Sequence, residues 1–74
     1  RFTNQSAMAR ETKEYMLNIC STDDACYKVI DTYFEQCFNT NYRTGSRYTS
    51  ANLDTEGLAS CINKYAGVAY FQAE

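Results

Sequence analysis

Four cysteines, Cys20, Cys26, Cys37 and Cys61, constrain the fold of this 74-residue chain more than any other feature. An even cysteine count in a chain of under about 100 residues is typical of a disulfide framework formed in an oxidising compartment. A domain this small buries only about 60% of the surface of its unfolded chain, so cross-links supply stability that the core lacks. The count therefore predicts two disulfides and a secreted, extracellular protein, or one of the bacterial periplasm.

The spacing of the cysteines disfavours the alternative, a zinc site. The pattern is C-x5-C, then ten residues to Cys37 and 23 to Cys61, and the chain contains no histidine. Structural zinc sites use closely spaced pairs such as C-x2-C, and redox motifs use C-x-x-C. We therefore expect no metal and no cofactor. Without histidine, and with the cysteines bridged, the chain also lacks the usual base and nucleophile, so we expect no catalytic residues and no enzyme activity.

The apolar residues recur at intervals of three and four, and the chain contains no proline, which predicts amphipathic helices. The first helix is predicted from about Ser6 to Cys20. Its predicted buried stripe is Met8, Thr12, Tyr15, Met16 and Ile19.

The second helix has the clearest pattern. Ser21 and Asp24 have the spacing of a capping box at its start, and Thr22 is an alternative cap. Its predicted buried stripe is Cys26, Val29, Ile30, Tyr33, Phe34, Cys37 and Phe38.

The third helix begins at Ser50 or Asp54 and ends by Gln72. Its predicted buried stripe is Leu58, Ile62, Tyr65, Ala66 and Ala69. Residues 39–50 lack apolar periodicity and are rich in Asn, Thr and Ser, so they are predicted to form a loop. The whole chain, residues 1–74, is thus predicted to be one all-α domain, an up-down-up three-helix bundle with a long loop between helices 2 and 3.

Helix geometry narrows the three ways in which four cysteines can pair. Cys26 and Cys37 are eleven residues apart, roughly 16 Å along one helix, whereas a disulfide needs Cα atoms within about 7 Å. The favoured pairing is Cys20 with Cys26 and Cys37 with Cys61, because a short turn brings the first pair together. The pairing of Cys20 with Cys37 and Cys26 with Cys61 stays open as the alternative.

The predicted loop contains the most polarised segment of the sequence. Tyr42, Arg43, Arg47 and Tyr48 lie in it without any acidic residue, which gives residues 39–50 a charge of +2. Arginine and tyrosine are enriched at binding hot spots, and loops of this length are often functional. These four residues are the predicted partner-binding site. The alternative is a solvated connector.

The seven tyrosines predict further packing. Tyr15, Tyr33 and Tyr65 are expected to pack with their hydroxyls at the rim of the core. Packing is also favoured for Tyr27, Tyr70 and Phe71, and the alternative is an exposed aromatic patch that supports self-association. Asn4-Gln5-Ser6 is a formal glycosylation sequon, a weak signal because such triplets are common.

The leading functional hypothesis is a secreted protein that recognises a protein partner or receptor, as an extracellular signal, pheromone, toxin or inhibitor does. One alternative is a carrier of a small apolar ligand, although three short helices usually enclose too little volume. Another is a bacterial periplasmic inhibitor or immunity protein. A net charge of −2 and a pI near 5.0 disfavour nucleic acid as a partner, and no apolar run is long enough to form an integral membrane segment.

Overall fold

Three helices and one short hairpin follow each other along the chain in a computed structural model that describes residues 5–48 and 50–72. The helices are α1 (Gln5–Cys20), α2 (Asp24–Asn41) and α3 (Thr55–Ala66). Two two-residue strands, β1 (Tyr42–Arg43) and β2 (Asn52–Leu53), separate α2 from α3. The predicted three-helix fold is confirmed, and the small antiparallel sheet is an addition to it.

The two disulfides are those of the favoured pairing. Cys20 joins Cys26 with their Cα atoms 5.5 Å apart, and Cys37 joins Cys61 with a Cα separation of 5.7 Å. The first bridge ties the end of α1 to the start of α2, and the second ties α2 to the middle of α3. The central helix α2 is therefore covalently attached to both neighbours, and it packs against both.

The turn between α1 and α2 differs from the predicted capping. The helix cap is Asp23, whose carboxylate accepts hydrogen bonds from the backbone N–H groups of Ala25 and Cys26 at 3.0 and 3.2 Å. Ser21 has a positive φ of 58°, in the turn that follows Cys20. Because that turn occupies Ser21 and the next residue, the helix starts later than either predicted cap requires. The predictions for Ser21 and Thr22 were wrong.

The core is built around one face of α2. The buried residues of α2 are Cys26, Ile30, Phe34, Cys37 and Phe38. The buried residues of the other segments are Met16, Cys20, Leu58, Ala59, Ile62 and Phe71. The predicted stripe of the second helix is thus confirmed at its centre, and its two remaining members, Val29 and Tyr33, are half-buried.

The predicted stripe of α1 was wrong for its largest members. Tyr15 is 68% exposed and Ile19 is 46% exposed, whereas Met16 and Cys20 are buried. The disulfide at Cys20 determines which side of α1 meets α2, so the face that includes Ala9 and Met16 packs inward. Tyr15 and Ile19 are left on an adjoining, partly uncovered face.

Helix α3 has clear boundaries at both ends. Asp54 caps its start by accepting a hydrogen bond from the Gly57 N–H at 2.9 Å, so Asp54 was the correct choice and Ser50 was wrong. Gly67 ends it with a left-handed φ of 73°, a conformation that glycine adopts without steric cost. Ala69 lies beyond this end and is exposed, so its predicted burial was wrong.

The Cys37–Cys61 bridge also sets the register of α2 against α3. One turn away from the bridge along both helices, Tyr33 stacks on Tyr65 with ring centroids 4.0 Å apart and planes 5° apart. Gln36 Nε2 donates a hydrogen bond to the Tyr65 hydroxyl at 2.7 Å. Tyr65 is nevertheless 43% exposed, so the stack lies at the rim of the interface and not in the core.

The segment after α3 folds back onto the helix. The Asn63 side chain donates to the Phe71 carbonyl at 2.6 Å and accepts from the Phe71 N–H at 3.0 Å. These two bonds hold Phe71 in the core at 6% exposure, and Tyr70 is half-buried beside it. The favoured packing of both is confirmed. For Tyr27 the favoured packing was wrong: it is 37% exposed, and its hydroxyl donates a hydrogen bond to the Ser21 carbonyl.

Removing the two disulfides separately tests how much each contributes to the free energy of unfolding. The bridges span sequence separations of 24 and 6 residues, and loop closure alone assigns about 3.5 kcal/mol to the longer and about 2.4 kcal/mol to the shorter. Each bridge has one cysteine that is fully buried, so the packing losses are comparable. We expect Cys37→Ala with Cys61→Ala to lower the free energy of unfolding by about 1 kcal/mol more than Cys20→Ala with Cys26→Ala, by guanidinium titration. An equal or larger loss from the Cys20 pair would contradict this ranking.

Candidate functional site

The hairpin between α2 and α3 contains all four predicted partner-binding residues. Its strands pair antiparallel, with Tyr42 opposite Leu53 and Arg43 opposite Asn52. The predicted loop boundaries need correction, because residues 39–41 continue α2 and residues 42–43 form β1. Of the described residues, 44–48 and 50–51 lie outside both strands, between β1 and β2.

Local contacts explain why α2 runs further than its polar sequence indicates. The Asn41 side chain donates a hydrogen bond back to the Cys37 carbonyl at 2.8 Å. One turn after Phe38, Tyr42 stacks on the Phe38 ring at a centroid distance of 5.2 Å. Phe38 is fully buried, so this stack attaches the first strand of the hairpin to the core.

The second strand is attached through the start of α3. The Asp54 N–H donates to the Asn41 carbonyl at 2.8 Å, which joins the end of β2 to the end of α2. Gly57 lies directly against this junction, because a Cβ atom on it would overlap the Asn41 side-chain oxygen and come within 2.9 Å of Asp54 Oδ2. A side chain at residue 57 is therefore incompatible with the observed position of Asn41.

The four predicted binding residues divide into a base and a tip. Tyr42 is half-buried and belongs to the base, where its ring packs on the core. Arg43 and Arg47 are exposed, and Tyr48 is 85% exposed. Within residues 5–48 and 50–72 the one ion pair joins Lys13 to Asp31, so neither hairpin arginine is neutralised by a carboxylate there. We call Arg43, Arg47 and Tyr48 the hairpin surface.

A groove of about 330 Å³ lies between α1 and α3, away from the hairpin surface. Tyr15, Met16 and Ile19 form its α1 wall, and Leu58 and Ala59 form its α3 wall. The folded-back segment that includes Tyr70 and Phe71 completes it. The sequence pattern predicted that Tyr15 and Ile19 are core residues. The apolar residues that could have indicated this groove were therefore interpreted as core packing.

Tyr70 borders this groove and interacts with the capping residue of α2. Burial raises the pKa of the Tyr70 phenol above its ordinary value of 10.0, and the neighbouring Asp23 carboxylate raises that pKa further through a hydrogen bond and its charge. The phenol therefore stays protonated and can donate to Asp23 at neutral pH. This contact places a carboxylate at one margin of the groove.

A second cleft, of about 580 Å³, lies between α1 and α2. Its side chains have mixed charge: Arg10 and Lys13 come from α1, and Asp31 and Glu35 come from α2. Lys13 Nζ lies 3.4 Å from Asp31 Oδ1, and Asp31 is 82% exposed. Such an exposed pair stabilises a fold by little, about 0 to 1 kcal/mol.

No protein-family model matches the chain, and the searches of curated proteins and of solved structures found no match. Within the described part of the chain, no group of three or more His, Cys, Asp or Glu side chains could hold a metal ion. None of the described helices is both long enough and apolar enough to cross a bilayer. The proposed glycosylation residue, Asn4, lies outside the described residues.

The junction of Asn41 and Gly57 gives a test of how the hairpin is attached. Glycine to alanine in a helix ordinarily stabilises by about 0.5 to 1 kcal/mol, but here the new methyl group displaces the Asn41 side chain from its bond to Cys37. We expect the effect of Gly57→Ala on the free energy of unfolding to be at least about 1 kcal/mol less favourable in the natural chain than in an Asn41→Ala background. A double-mutant cycle, with each variant unfolded by denaturant, measures this difference. Additive effects would show that the two side chains do not meet.

Proposed function

We propose that the chain is a small secreted protein that acts by binding a macromolecular partner through the hairpin surface. The proposal covers an extracellular signal, pheromone, toxin or inhibitor, which share this mode of action. The observation that carries it is a tyrosine that is 85% exposed, together with two arginines that form no ion pair within residues 5–48 and 50–72, on a hairpin attached to a cross-linked core. The two disulfides support an oxidising, extracellular setting.

The anchoring of the hairpin favours binding. Association costs side-chain and loop ordering, and a surface held near its bound shape loses less of that freedom. The stack of Tyr42 on Phe38 and the hydrogen bond from Asp54 to Asn41 hold the two strands at the base. Tyr48 and the arginines thus extend from an anchored base. Tyrosine and arginine are enriched among the residues that contribute most to binding energy at protein interfaces.

The charge distribution favours an acidic protein partner. The hairpin region, residues 39–50, has a charge of +2, and the chain has −2 in total, which leaves −4 for the rest. A partner with an acidic patch is attracted to the hairpin and repelled by the body, so it meets the protein in one orientation. A polyanion such as nucleic acid would be repelled by most of the surface.

Site-specific photocrosslinking identifies the partner and tests the surface together. A photoreactive benzophenone side chain replaces Tyr48, and a matched protein has it at Val68, which is 54% exposed and lies outside the hairpin. Each protein is irradiated with cells and fluid from its source organism. The proposal predicts one saturable adduct from residue 48, competed by unlabelled protein and absent from residue 68. Adducts from residue 68 alone would contradict it.

Charge reversal measures the contribution of the arginines once the crosslinked partner is purified. We expect Arg43→Glu with Arg47→Glu to weaken its binding by at least about a hundredfold, since two charge-assisted contacts become repulsive. The matched control is Lys28→Glu with Lys64→Glu, which makes the same change in net charge on exposed faces of α2 and α3. Equal weakening by both pairs would mean that net charge, and not the hairpin surface, governs binding.

A further inference from the structure

The α1–α3 groove leaves large apolar side chains uncovered beside the core. Tyr15 and Ile19 are 68% and 46% exposed on the α1 wall, whereas Met16, Leu58 and Phe71 form a buried floor. The volume of about 330 Å³ lies within the range of about 300 to 1,000 Å³ typical of small-molecule sites. A linear alkyl chain is slender enough to lie in a groove of this volume, and the residues that line the groove are uncharged. The fitting occupant is a single slender apolar chain.

The charges around the groove determine which sign of charge the headgroup of such a molecule can have. None of the groove residues is charged. Three acidic residues neighbour groove residues: on α1, Glu11 is one helical turn before Tyr15; on α3, Glu56 directly follows Thr55; and Asp23 interacts with Tyr70. The basic residues of α1 line the other cleft, where Lys13 pairs with an aspartate of α2.

We propose that this groove is a second binding site, independent of the hairpin surface, for a cationic amphiphile with one alkyl chain. The alkyl chain lies along Met16, Leu58 and Phe71, and Tyr15 and Ile19 close over it. The positive headgroup remains at the acidic margin, in partial contact with water, where it keeps most of its hydration. An anionic amphiphile such as a fatty acid would place its charge among carboxylates and is excluded by the same arrangement.

Binding of alkyltrimethylammonium ions tests both parts of the proposal. Decyl and dodecyl homologues are titrated below their micelle concentrations into isotope-labelled protein, and NMR shifts report the site and the dissociation constant. We expect shifts centred on the groove residues and about fourfold tighter binding per methylene. We expect dodecyl sulfate to bind at least about tenfold more weakly than the cation. Preference for the sulfate, or no dependence on chain length, would overturn the proposal.

Two sets of variants separate a specific site from general surface adsorption. Ile19→Ser removes apolar surface from the groove, and Val68→Ser removes a similarly exposed apolar side chain elsewhere. We expect the first to weaken binding at least about tenfold and the second to leave it unchanged. Glu11→Gln with Glu56→Gln should reduce the preference for the cation over the sulfate at least threefold, while the spectra of the free protein stay native. Equal effects of Ile19→Ser and Val68→Ser, or an unchanged preference, would contradict the site.

Discussion

Helix α2 is covalently attached to both other helices, and this attachment determines how the core, the hairpin and the groove are arranged. Cys26 near its start and Cys37 near its end are both fully buried, and each bridges to a different helix. A chain of 74 residues encloses a small core, and cross-links reduce the entropy gained on unfolding. The two bridges also determine how the helices are arranged. The Cys20–Cys26 bridge orients α1 about its axis, and the Cys37–Cys61 bridge sets the register of α2 against α3.

This attachment gives the molecule two distinct surfaces. At the end of α2, the core residue Phe38 stacks on Tyr42, so the hairpin begins from a fixed point. Along α1, the disulfide at Cys20 turns Met16 inward and leaves Tyr15 beside the groove. The hairpin surface is basic and the groove margin is acidic, so the proposed ligands of the two sites have opposite charge. The separation allows each site to be altered without changing the other.

The sequence determines much of this fold in advance. The cysteine spacing excludes a Cys26–Cys37 bond on a single helix, and the apolar repeat of α2 identifies its buried face. The predicted rotation of α1 is wrong because its apolar residues are spread over more than one face, and the predicted stripe does not include Cys20, whose bridge orients the helix. The hairpin was missed for a different reason. It depends on Asn41 meeting Asp54 and Gly57, which are distant in sequence and give no local periodic signal.

Disulfide mapping of the natural protein by non-reducing proteolysis and mass spectrometry tests directly how α1 and α3 are attached to α2. We expect an intact mass four hydrogens below that of the reduced chain, with one linked peptide pair containing Cys20 and Cys26 and another containing Cys37 and Cys61. Peptides that link Cys20 to Cys37 and Cys26 to Cys61, or four free thiols, would contradict it. Either result would require a different arrangement of α1 and α3 around the central helix.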